Sequence, residues 1–168
     1  MQENTFEEFN KSALRLLNNL NALTEEQINF QPEQGWSAGQ FGDHLLKSYA
    51  FISILNGETR KTERSIDQKL EPVKLMFADD SIKMDAPKAI VPTNEKINKL
   101  EIISGLEKKI AEIEKVIQTK DLSLTCVDFS IPEYGEFTRF EWIWFNIYHT
   151  QRHIRQLEEM LRTNNIKK

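Results

Sequence analysis

Cysteine is nearly absent: Cys126 is the one thiol in 168 residues. An internal disulfide is therefore impossible, and nothing points to an oxidising compartment. Long apolar runs are missing too. The longest, around Phe140–Tyr148, is broken by Glu141 and Asn146, so no segment predicts a transmembrane helix. Basic charge is not in excess. The net charge is -4, and lysines and arginines are interspersed with acids apart from the Lys167–Lys168 pair, so a nucleic-acid footprint is missing. The first residues, MQENTFEEFNKSALRLL, lack the basic-then-apolar order of a signal peptide. Neither GxGxxG nor a Walker loop occurs, which leaves nucleotide binding without support. The expectation is a cytoplasmic, soluble protein that acts on a small molecule, with no nucleic-acid and no membrane partner.

What is present is an ordinary globular composition, 39% hydrophobic and 29% charged, enough for one domain over residues 1–168. Phe6, Phe9, Ala13, Leu16, Leu17, Leu20 and Leu23 recur at steps of three and four and predict a first helix over about Asn4–Leu23. Thr24 and Gln27 suit a capped turn. Ser37 and Gln40 form a capping box that opens a second helix, carrying Phe41, Leu45, Tyr49, Ile52 and Leu55 and ending near Gly57. Residues 58–93 hold three prolines and weak periodicity. This is a long connection for a compact domain, and a short helix is expected around Asp67–Met76. Ile97, Leu100, Ile103, Leu106, Ile110, Ile113 and Ile117 make the stripe of a third helix. Thr138 and Glu141 cap a fourth, reaching about Arg162 and apolar nearly all round in its first half. LSLTCVDFSI has strand propensity but no evident partner strand. The fold class expected is all-α, a four-helix bundle.

The chain has three histidines. His149 and His153 are four apart on the fourth helix and so share a face. Such a pair also arises by chance on solvated helices. If it binds an ion, one helix cannot place a third ligand beyond it, and His44 on the second helix is the histidine left to do so. Trp142, Asn146 and Gln156 flank the pair on its face, and Gln40, Phe41, Lys47 and Ser48 flank His44. Three protein ligands leave open positions for water or substrate. Imidazoles suit Zn, Ni, Fe and Cu alike. Thr150 stands where a zincin has its Glu, so that motif is not met. Asp43 and Glu141 are the nearest carboxylates in sequence. A structural or solvated role is the plainer reading for Asp43, and Cys126 reads as a buried, inert thiol rather than a fourth ligand. The three tryptophans read as core or interface residues, with Trp142 a candidate pocket wall.

The stretch FQPEQGWSAGQFGDHLLKS, followed by a long helix ending in YHTQRHIRQLEEM, resembles the DinB-like (DinB/YfiT-like) superfamily, and IKMDAPKAIVPT is similar to a segment of that family's long connection. The resemblance covers nearly the whole chain. It implies a four-helix bundle with a long crossover between helices 2 and 3. It also implies a divalent transition metal held by three histidines, which map onto His44, His149 and His153. Relatives commonly form homodimers. Their activities diverge: some transfer low-molecular-weight thiols such as bacillithiol, others resemble metal-dependent hydrolases. The resemblance thus implies a small metal-dependent enzyme, a thiol S-transferase or hydrolase. The alternative is a non-catalytic metal or small-molecule binding protein of the same fold.

Overall fold

The computed structural model describes residues 1–166, and the Lys167–Lys168 pair lies outside the described residues. Helix α1 (Gln2–Asn21) is followed by the single turn α2 (Glu25–Ile28), which the Thr24–Gln27 capping box opens. Helix α3 (Ala38–Ser48) begins at Ser37: its hydroxyl accepts from Gln40 N at 3.2 Å, and Gln40 Oε1 accepts from Ser37 N at 3.0 Å. The second helix does not run unbroken to Gly57. It tightens into a 3-10 turn at Tyr49–Phe51 and resumes as α4 (Ile52–Asn56). The connection then holds a short strand β1 (Thr59–Arg60), helix α5 (Leu70–Ala78) and a 3-10 turn at Lys88–Ile90. Helix α6 (Lys99–Thr119), strands β2 (Thr125–Ile131) and β3 (Gly135–Thr138), and helix α7 (Arg139–Thr163) complete the described chain.

The four long helical segments form the bundle. Helices α1 and α3 each lie against both α6 and α7. Leu16, Leu20, Leu45, Leu55, Leu106, Ile113, Ile117, Ile143 and Leu157 are wholly buried between them, each contributing about 1.5–3 kcal/mol relative to exposure. Close approach of α3 to α6 depends on missing side chains: a Cβ on Gly42 would sit 2.9 Å from the Ile102 Cγ2, and one on Gly105 would sit 2.9 Å from the Leu46 Cδ2. Leu100, expected in the apolar stripe, is instead exposed, while Ile102 and Ile103 turn inward.

The expectation of an all-α chain needs correction. LSLTCVDFSI does form a strand, in a three-stranded antiparallel sheet of order β1-β2-β3. Thr59 pairs with Cys126 and Thr125 with Thr138, and a bulge separates the Thr125–Thr138 pair from Ser130–Glu136. The hairpin between β2 and β3 turns at Glu133 and Gly135, both with positive φ, and only the second is the residue that adopts it without strain. Buried Arg139 ties this end of the molecule together, donating to Leu55 O at 2.7 Å and Asp121 O at 3.1 Å. The fold is thus mostly helical, a bundle with a small sheet at one end of α7.

The apolar surplus of α7 is absorbed within the chain. Trp142 packs on Phe137 and Phe145, Phe145 packs on Phe77, and the Trp144 indole N–H donates to Thr5 Oγ1. Among the described residues, no helix is long and apolar enough to cross a membrane.

Candidate metal centre

The three histidines meet across the bundle. His149 and His153 face inward from the middle of α7, one turn apart, and His44 reaches them from α3. The His149 Nε2 lies 3.0 Å from Nε2 of His44 and 3.0 Å from Nε2 of His153. All three are nearly enclosed, with 2%, 8% and 9% of their surfaces exposed for His44, His149 and His153.

The outer ring nitrogens decide what the inner ones offer. The His44 Nδ1 lies 2.7 Å from the Ile90 carbonyl, which can only accept, so Nδ1 carries the proton. The His153 Nδ1 likewise donates to Gln156 Oε1 at 2.7 Å. With those protons outside, a neutral imidazole presents a bare lone pair at Nε2. Burial keeps the rings neutral. Desolvation lowers the pKa of His44 against the opposing pull of the Ile90 hydrogen bond. It lowers that of His153 to about 3, and that of His149 well below the ordinary value, where the neighbouring His153 and His44 also disfavour the charge.

Two lone pairs therefore point at a third ring nitrogen from hydrogen-bond distance. One proton on the His149 Nε2 could serve only as a shared donor, and without it three lone pairs confront each other. A cation resolves the conflict, because each nitrogen can then lie at the roughly 2.0–2.1 Å that imidazole ligands adopt. The donor set fits a divalent transition metal, and among the described residues this is the group of histidine, cysteine and carboxylate side chains with metal-ligand proximity. The His149 Nδ1 is buried without a partner, unlike the outer nitrogens of its two companions.

Aromatic rings enclose the trio. Trp36 lies 4.8 Å from the His44 ring and 5.7 Å from the His153 ring, nearly stacked on the latter. Its position follows from local sequence. Trp36 precedes the Ser37 cap and packs on Phe41 at 5.5 Å, the hydrophobic staple that fixes the entry angle of a helix. Phe77 of α5 covers His149 at 5.5 Å. The expectation that Trp142 walls the pocket is corrected: it packs on Phe129, Phe137 and Phe145 beside the sheet. Gln156 does support a histidine, whereas Asn146 donates to the Trp142 carbonyl of its own helix.

Neither carboxylate is free. Asp43 accepts from Lys47 Nζ and from Thr93 N, both at 2.7 Å. Glu141 is bound by Arg64, by the backbone N–H of Lys69 and by its own helix cap. Cys126 is fully buried in β2 and lies outside the histidine cluster, its thiol pushed up to about 11 by desolvation. A cavity of about 250 Å³ beside the sheet is lined by Arg60, Arg64, Lys69, Glu63, Glu136 and Thr125, with no histidine among them.

Phe77, Trp36 and Ile90 escaped the sequence reading as site residues. The staple spacing was a legible signal for Trp36. Nothing local signals that α5 and the Ile90 carbonyl fold back onto the histidines.

The chain is 26% identical over 157 residues to the uncharacterized protein YuaE of Bacillus subtilis (strain 168), spanning 90% of this chain and 94% of that one. Its fold matches that of YfiT from Bacillus subtilis with a TM-score of 0.65 over 99% of this chain and 89% of that one, at 14% identity. YfiT is described as a probable metal-dependent hydrolase with an unusual four-helix bundle topology. The sequence profile of the DinB superfamily matches residues 8–157, and with most of its length inside that match the chain belongs to the DinB superfamily.

Proposed function

We propose that this protein holds one divalent transition metal, Zn, Ni or Fe, through Nε2 of His44, His149 and His153, and is a small metal-dependent enzyme acting on a small molecule. The observation that carries the reading is the convergence of three neutral, buried imidazole nitrogens whose outer protons on His44 and His153 are already committed. When bound, such an ion supplies Lewis acidity and lowers the pKa of a water or thiol toward neutrality. The protein's own part is to orient and to dry the site. Ile90 and Gln156 hold two ring planes and tautomers. Trp36 and Phe77 press against the rings and keep bulk water off them.

Hydrolysis is the first reaction supported, because the structural neighbour YfiT is described in those terms. Transfer of a low-molecular-weight thiol such as bacillithiol is the second. The engagement of Asp43 and Glu141 elsewhere fits either reaction, since a metal-bound water or thiol that has lost its proton needs no carboxylate base.

Metal analysis of purified wild type and His149→Ala tests the site. The expected result is about one ion per wild-type chain and little in the variant; equally low content in both rejects it. Turnover is then sought with ester and amide substrates, and with bacillithiol plus a reactive halide or epoxide. Metal binding with no metal-dependent turnover across that panel makes the protein a non-catalytic binder.

A further inference from the structure

The chain between α5 and α6 is fastened to both helices that carry the histidines. At its start, α7 grips it: Arg155 donates to Phe77 O at 2.8 Å and pairs with Asp80, while Arg152 donates to Asp79 O at 2.7 Å and Ile82 O at 2.6 Å. At its end, residues 90–93 lie along α3. Gln40, Asp43, His44 and Lys47 stand at i, i+3, i+4 and i+7, on one helix face. Each takes a backbone group of that strap. Gln40 donates to Thr93 O at 3.0 Å, Thr93 N donates to Asp43 at 2.7 Å, His44 donates to Ile90 O at 2.7 Å, and Lys47 donates to Val91 O at 2.9 Å. Pro92, in the middle, has no N–H to satisfy. No regular element spans residues 91–98, so side chains of α3 do for this backbone what a helix or sheet would do.

Asp43 is the hub of the clasp. It is buried, accepts the one strap N–H taken by α3, and holds the Lys47 ammonium that reaches Val91. We infer that Asp43 is a positioning residue for the metal centre. It latches the strap whose Ile90 carbonyl fixes the tautomer and ring plane of His44, so metal affinity depends on the latch. This rests on the reading that the three histidines hold a metal. Linkage makes the effect reciprocal: an occupied site holds the strap down by the same free energy with which the latched strap favours the ion.

The experiment uses the full chain as wild type, Asp43→Ala, Asp43→Asn and Asn29→Ala. Asn29 pins the same connection at a different place, bonding both backbone groups of Ile97 at 2.8 Å. Zn²⁺ affinity is measured by competition with a chromophoric chelator. Strap opening is measured as tryptic cleavage at the exposed Lys83 and Lys88, with and without Zn²⁺. Asp43→Ala weakens Zn²⁺ binding about 10- to 100-fold, the usual cost of losing support behind a ligand. Asp43→Asn, which can still accept from Thr93 N, recovers part of that loss, and Asn29→Ala stays close to wild type. Zn²⁺ slows cleavage at Lys88 in wild type and much less in Asp43→Ala. If Asp43→Ala does not fold, Lys47→Met removes the Val91 clasp and shifts affinity in the same direction. A wild type that binds no Zn²⁺ overturns the metal reading and this inference with it. A wild type that binds while Asp43→Ala binds equally well, or Asn29→Ala loses as much, overturns the inference alone, as does cleavage indifferent to Zn²⁺.

Discussion

Glu141 and Arg64 face each other as two forks. The Arg64 guanidinium nitrogens lie 2.7 and 2.6 Å from the two carboxylate oxygens of a glutamate with no exposed surface. The same carboxylate accepts from Thr138 N and Lys69 N, both at 2.9 Å. One side chain thereby caps α7 and anchors the crossover leading into α5. Glu141 is a structural hub of the first turn of α7, engaged by Arg64, Lys69 and the Thr138 cap.

Arg64→Ala is therefore expected to destabilise the fold. Stranding a buried charge typically costs about 3–5 kcal/mol. Because the Arg64 side chain is 23% exposed, water can partly replace it, and the loss falls at or below the lower end of that range. Urea unfolding measures it. Metal content per folded chain stays that of wild type, and a variant as stable as wild type would sink the argument.

Trp36 makes metal binding visible. Its ring lies 4.8 Å from that of His44, whereas Trp142 and Trp144 pack on Phe137 and Phe140. Adding Ni²⁺ to the metal-free protein quenches indole emission, and Trp36→Phe abolishes most of the quenching while the protein still binds the ion. Equal fractional quenching in both proteins would refute the placement.

Acid destabilises the metal-free protein through the same histidines. In the unfolded chain each titrates near about 6.5. In the fold all three are lowered, His153 to about 3, chiefly by desolvation. As pH falls through the unfolded value, the unfolded chain binds protons that the folded one refuses, so stability present above pH 6.5 is lost on acidification. The slope is up to about 1.4 kcal/mol per pH unit for each histidine. The window between about pH 6.5 and 5 reports them, since free carboxylates titrate lower, near about 4. A urea midpoint unchanged from pH 7.5 to 5.5 would contradict the burial of three neutral rings.

Cys126 should resist thiol reagents. With its pKa pushed up to about 11 by burial, almost none of it is thiolate at pH 8. Reaction with a disulfide reagent is expected to be negligible in the native protein and stoichiometric in guanidinium. Rapid native labelling would show that the end of the sheet opens.

The amino-acid sequence by itself determined what depends on neighbours three or four residues away. The capping boxes at Thr24, Ser37 and Thr138 form as read, because a cap joins residues i and i+3. The long helices follow from their apolar period, and His149 and His153 share a face because four residues make about one turn. Tertiary structure decided the rest. The strand at Thr125–Ile131 was unrecognisable as part of a sheet because its partners are two and four residues long, one of them some sixty positions upstream. Trp36 rather than Trp142 walls the histidines, since α7 turns Trp142 toward the sheet. Asp43 reads in the sequence as a structural or solvated carboxylate and Lys47 as a neighbour of His44; only the fold lays the strap across both. A helix face can be read from periodicity. Which distant backbone comes to rest on it depends on how the whole chain closes around its core, and no local spacing encodes that.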